Sequence, residues 1–121
     1  MRARTAYLLD CAAVTLFAAV GRASHGEENP VLGVLITAWP FLVGLTVGWL
    51  FTFGRTHAAP LGVRAAVPVW LVTLLGGMAV RALTGRGVAW SFVLVAGAVL
   101  ALLLLGWRWL EARRTAETAA D

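Results

Sequence analysis

Lysine is absent from this 121-residue sequence, cysteine occurs once, and aspartate and glutamate together number six. Each scarcity excludes something. A single cysteine, Cys11, rules out an intrachain disulfide and a cysteine metal cluster. It lies inside the first apolar run, where a small buried hydrophobe is its default role. Charged residues make up 13% of the chain and hydrophobic ones 60%, far from the balance of a soluble domain. With no lysine, the formal net charge of +4 comes wholly from arginine. Those arginines sit at the ends of apolar runs, where they set topology and meet anionic headgroups. That placement argues against a nucleic-acid-binding function.

What the chain does contain is four apolar runs of about twenty residues, each long enough to cross a bilayer. The pattern predicts an all-α, integral membrane four-helix bundle with helices at about 5–20, 31–53, 61–83 and 89–110. The runs leave no room for a separate soluble module. Residues 1–110 form one transmembrane domain, and 111–121 form a polar cytoplasmic tail expected to fray. The first run follows two arginines, as a signal peptide does. Asp10 within it, and Arg22 where small residues are wanted, favour a retained helix.

The second run carries the densest set of special residues, Thr37-Ala38-Trp39-Pro40-Phe41 followed by Gly44 and Gly48. Proline removes a helix hydrogen bond and glycine adds backbone entropy. In lipid both are tolerated, because neighbouring helices re-satisfy the freed backbone groups. Gly44-x-x-x-Gly48 matches the small-residue packing motif, open to use within the bundle or between two copies. Gly76-Gly77 offers a second such surface in the third run, which also contains Pro68. Gly54 is the expected C-cap of the second helix, with Arg55 complementing its C-terminus.

Arginine counting sets the orientation. Arg2, Arg4, Arg55, Arg64, Arg108, Arg113 and Arg114 fall on one side, and Arg22, Arg81 and Arg86 on the other. Both termini are therefore expected in the cytoplasm, in a multi-pass protein of the cell membrane. The same count separates the polar residues into two layers. Asp10, about 8 Å into its helix at 1.5 Å per residue, shares the cytoplasmic layer with Arg55, His57, Arg64 and Arg108. Arg64 or Arg108 is its expected partner, and Arg81, in the opposite layer, is not.

An aspartate inside a membrane helix is costly and must find a partner, which makes Asp10 a candidate functional residue. Its two roles are a proton-coupling carboxylate and a structural interhelical ion pair. Ser24, His25, Glu27 and Glu28 place a histidine and two carboxylates together in the outer connector, a set that could bind a metal or act as acid and base. No second histidine is near and no H-E-x-x-H spacing occurs, so the simpler reading is a solvated loop pairing with Arg81 and Arg86. No metal or cofactor is expected. Of the six tryptophans, Trp49, Trp90, Trp107 and Trp109 fall near helix ends, as interfacial anchors do. Trp39 lies near the midplane, where its indole N–H is expected to donate to a carbonyl freed by Pro40.

With these residues laid out, the chain resembles a family of small prokaryotic membrane proteins known as domain of unknown function 3054. The likeness runs from about Asp10 to Arg108. It rests on Asp10, Gly21-Arg22-Ala23-Ser24-His25-Gly26-Glu27, Thr37 to Phe41 with Gly44, Gly48 and Trp49, and further on Trp70, Gly77-Met78, Arg81, Phe92 and Gly106-Trp107-Arg108. The resemblance implies four membrane helices and no particular activity. It draws attention to Arg22, His25, Trp39 and Pro40 beside Asp10.

Two functions fit best. One is a structural or accessory membrane subunit, packing in the lipid bilayer as a homo-oligomer or within a larger complex. The other is a small proton-coupled transporter or channel subunit, acting as an oligomer with Asp10 as the coupling carboxylate. A membrane enzyme built on His25 and Glu27 is a third and weaker alternative.

Overall fold

The computed structural model describes residues 1–23 and 30–120. They form four helices, α1 (Ala3–Ala23), α2 (Pro30–Thr56), α3 (Val63–Leu83) and α4 (Trp90–Ala120), with no strand among the described residues. All four are long and apolar enough to cross a membrane, the best window in each having a mean hydropathy of 1.4 to 2.2. The fold is an all-helical membrane four-helix bundle.

Both ends of α2 have local causes. Pro30 opens α2, at the first turn where a missing N–H costs nothing. Gly54 does not close it. The helix runs on through Arg55 and Thr56, and His57 takes the left-handed conformation at φ 57° that ends it. The His57 amide still reaches back to the Phe53 carbonyl at 2.8 Å. Pro40 and Pro68 lie inside continuous helices, as the lipid-tolerance argument requires.

The end of α4 departs from the expected frayed tail, since the helix continues to Ala120. Alanine, glutamate and arginine are strong helix formers. Arg114 and Glu111 pair at 3.0 Å one turn apart, and Arg113 faces Glu117 at 3.7 Å. Such pairs lend an exposed helix weak support. Apolar content marks where a membrane helix stops being buried, not where the helix stops.

Sequential helices pack as neighbours and α1 closes against α4, while the diagonal pairs α1–α3 and α2–α4 make no close approach. The α2–α3 seam is the most intimate, and glycine is why. A Cβ at Gly44 would lie 2.8 Å from the Thr73 carbonyl oxygen, and one at Gly48 would lie 3.2 Å from Val69 Cα. From the facing helix, a Cβ at Gly76 would meet Gly44 Cα at 3.2 Å, and one at Gly77 would enter the Phe41 ring. Backbones approach this closely only where side chains are missing. Gly44-x-x-x-Gly48 is thus occupied inside the bundle.

The core is thin. Val14, Phe17, Phe41, Leu45, Val69 and Leu100 are buried at its centre. Phe17, Phe41 and Phe92 form an aromatic group, with Phe17 and Phe41 edge to face at 5.1 Å. Around it the outer surface is aliphatic, with Leu16, Leu35, Leu50, Leu75, Leu94 and Leu102 all more than half exposed. A belt of that kind is tolerable against hydrocarbon and a liability in water.

Candidate functional site

Asp10 lies seven residues past Ala3, about 10 Å along α1 at 1.5 Å per residue, and its side chain is fully buried. Arg108, on α4, meets it in a two-pronged ion pair. Nη1 donates to Oδ1 and Nη2 to Oδ2, both at 2.7 Å. Two indoles complete the carboxylate. Trp107 Nε1 donates to Oδ1 at 2.9 Å, and Trp49 Nε1 donates to Oδ2 at 2.8 Å. Four donors on two oxygens exhaust what a carboxylate accepts.

The guanidinium is as fully engaged. Its Nε donates to the Pro60 carbonyl at 3.0 Å, and Nη2 donates to the same oxygen at 2.8 Å. Nη1 also donates to the Leu104 carbonyl at 2.9 Å. Five N–H groups therefore make five hydrogen bonds, the whole inventory of arginine. The cation also lies 4.4 Å from the centre of the Trp107 ring, an attractive position over an aromatic face. Arg108 is 1% exposed, so the pair is held out of solvent.

This arrangement draws in every part of the bundle. α1 supplies Asp10, α2 supplies Trp49, α4 supplies Trp107 and Arg108, and the segment leading into α3 supplies Pro60. A neighbouring contact extends the layer, in which Tyr7 Oη and Thr46 Oγ1 share a hydrogen bond of 2.7 Å and Tyr7 stands edge to face on Trp49. Of the two arginines open to Asp10 by layer, Arg64 is exposed and Arg108 is the one that binds.

Trp49, Trp107 and Pro60 were not expected in this site. Trp49 and Trp107 read as interfacial anchors, yet their indole N–H groups turn inward to the carboxylate. A depth count carries the signal, because Trp49 lies seven residues before Thr56 while Asp10 lies seven after Ala3. In antiparallel neighbours that puts both at one level.

Trp39 corrects the opposite way. Its side chain is 42% exposed on the outer face of α2, and no hydrogen bond among the described residues uses its indole. Pro40 beside it is buried. The mid-helix tryptophan that does find an acceptor is Trp70, which donates to the Gly97 carbonyl at 2.9 Å and ties α3 to α4.

At the far end of the bundle, Arg22, Arg81 and Arg86 are half-buried around one cavity. Arg81 donates to the Gly87 carbonyl from Nε at 3.2 Å and from Nη2 at 3.0 Å, and sits 4.5 Å over the Phe92 ring. The Arg22 guanidinium lies against Gly33, where a Cβ would fall 2.7 Å from Nη2. Ser24, His25, Glu27 and Glu28 lie outside the described residues. Among the described residues, no group of three histidine, cysteine or carboxylate side chains is placed to hold a metal.

A bundle of four membrane helices, closed at one end by a dry aspartate–arginine pair, defines a small multi-pass membrane protein. Residues 7–111 match the family described as "Protein of unknown function (DUF3054)", and the chain belongs to it. No curated protein and no solved structure matches the chain.

Proposed function

We propose that this protein is a structural or accessory subunit of the cell membrane, with Asp10–Arg108 as the clasp that holds its helices in one arrangement. The observation that carries this reading is the complete engagement of both ions. A carboxylate that exchanges protons with a pathway needs an approach for water and a partner that lets go. Asp10 has four donors, and its arginine is itself fixed to Pro60 and Leu104. Three cavities of the bundle lie away from Asp10, at the arginine-rich end and on outer faces. Support for cytoplasmic termini is the arginine distribution, with seven on the side of the termini and three on the other. The aliphatic outer surface is available to other membrane helices as well as to lipid, consistent with assembly as a homo-oligomer or within a larger complex.

The test is a proton-flux assay on the protein in sealed vesicles carrying an internal pH dye. Under an imposed pH gradient, wild type and Asp10→Asn are expected to leak at the rate of empty vesicles. A flux present in wild type and lost in Asp10→Asn would establish the proton-coupled alternative instead.

A further inference from the structure

Beyond holding the helices together, the clasp sets the height of the residues around it. Arg4 lies six positions before Asp10 on α1, Arg55 six after Trp49 on α2, and Arg113 five after Arg108 on α4. Trp49 and Arg108 both bind Asp10. The three arginines therefore share one level, about 8–9 Å outward of the carboxylate at 1.5 Å per residue. All three are exposed, as are Arg2, Arg64 and Arg114 at the same end.

Arginine is in excess here on the sequence itself. Against six exposed arginines stand three carboxylates outside the clasp, Glu111, Glu117 and Asp121. Glu111 pairs with Arg114 at 3.0 Å, and Glu117 makes a looser, exposed pair with Arg113 at 3.7 Å. Glu27 and Glu28 belong to the connector from Ala23 to Pro30, which joins the opposite ends of α1 and α2. At full stretch such a connector bridges about 25 Å, whereas α2 is about 40 Å long. Arg4 and Arg55 have no ion pair with any carboxylate among the described residues.

Two of these arginines rest on rings that face outward. The Arg55 guanidinium lies 5.7 Å from the centre of the Phe51 ring, and that of Arg113 lies 5.0 Å from the centre of the Trp109 ring. Phe51 and Trp109 are each about half exposed on the outer surface. An aromatic face attracts a cation, so each ring keeps its arginine folded back towards the edge of the hydrocarbon. Arginines at that edge meet phosphate groups, which a guanidinium recognises through paired charge-assisted hydrogen bonds. Since α2 and α4 are diagonal in the bundle, the two seats lie on opposite sides of it.

We propose that Arg4, Arg55 and Arg113 form a ring of phosphate contacts that gathers anionic phospholipids around the clasp end, with Phe51 and Trp109 holding two of the guanidinium groups at headgroup level. The shared plane suits a membrane surface, where phosphates lie at one depth. A soluble polyanion imposes no such plane and would not call for arginines seated on lipid-facing rings.

The experiment is lipid titration of the purified full chain in neutral detergent, read by native mass spectrometry. The probes are dioleoyl phosphatidylglycerol and dioleoyl phosphatidylcholine, with a single-stranded oligonucleotide as soluble competitor. Wild type is expected to retain phosphatidylglycerol in preference to phosphatidylcholine, with more than one molecule bound. Arg55→Gln and Arg113→Gln should each weaken that retention about fivefold. Together they should weaken it on the order of 25-fold, because the seats are far apart. Phe51→Leu and Trp109→Leu keep both charges and should each weaken it about twofold. All four side chains are on the surface, so each variant should still melt cooperatively. Equal retention of the two lipids, an indifferent Arg55→Gln or Arg113→Gln, or ring variants without effect would each overturn the proposal. An equal loss in Arg86→Gln, at the other end, would also overturn it by reducing the preference to bulk charge. So would displacement of phosphatidylglycerol by the oligonucleotide, since the ring would then serve a soluble polyanion.

Discussion

The two ends of this bundle handle arginine in opposite ways. At one end a single arginine is buried, and each of its N–H groups is answered by a carboxylate or a carbonyl. At the other, three arginines are half-buried around open space, with no carboxylate among the described residues lining it. A buried charge without its partner costs several kcal/mol, so the first end cannot lose a member and keep its packing. The second end is built around a cavity, where Arg81 is answered by the Gly87 carbonyl and the Phe92 ring. One fold thus contains an arginine answered by a carboxylate inside the bundle and others that border a cavity.

The largest test of this contrast is Asp10→Ala, which strands Arg108 in the interior. It should lower unfolding free energy by about 3–5 kcal/mol, measured by denaturation in mixed micelles. Replacing both partners, with Asp10→Leu and Arg108→Met, should recover most of that loss, because no uncompensated charge remains. A double variant as unstable as the single one would show that the pair contributes net stability of its own.

Next in size is Trp107→Phe, which keeps an aromatic ring and removes one donor to the carboxylate. The expected loss is about 1.5–3 kcal/mol by the same measurement, and Trp49→Phe should behave alike. If neither moves the transition, the indoles are anchors after all and the site reduces to the ion pair. Between the two ends, Gly44→Ala forces a methyl towards the Thr73 carbonyl oxygen and should cost about 1–3 kcal/mol. The smallest effect is expected at Trp39→Phe, within about 0.5 kcal/mol, since that side chain faces outward without a hydrogen bond. A large loss there would place Trp39 against a partner helix or a second copy.

The four helices were legible because run length alone decides whether a segment can cross a bilayer. The final helix outlasts its apolar run, because apolar content falls while helix propensity and the Arg114–Glu111 pair persist. The level of Asp10 could be counted from helix starts, which narrowed its partner to Arg64 or Arg108. Choosing between them requires the rotation of each helix about its own axis. Rotation is weakly encoded in runs as uniformly aliphatic as 98–105, where every face looks alike. The tryptophans failed for a related reason. An indole near a helix end has the same sequence signature whether it points to headgroups, as an anchor, or inward to a carboxylate, as Trp49 and Trp107 do. The sequence gives the depth of Trp39, and depth says nothing of direction.

The clasp also has a consequence in time. Asp10 and Arg108 are separated by 98 positions, nearly the whole chain. At a synthesis rate of about 5–20 residues per second, the carboxylate is made roughly 5–20 seconds before its arginine. Throughout that interval the nascent protein carries an acidic group without the partner that the finished fold gives it. Closure of the bundle therefore waits for the last helix, and a chain interrupted before Arg108 carries its own mark of incompleteness into the membrane.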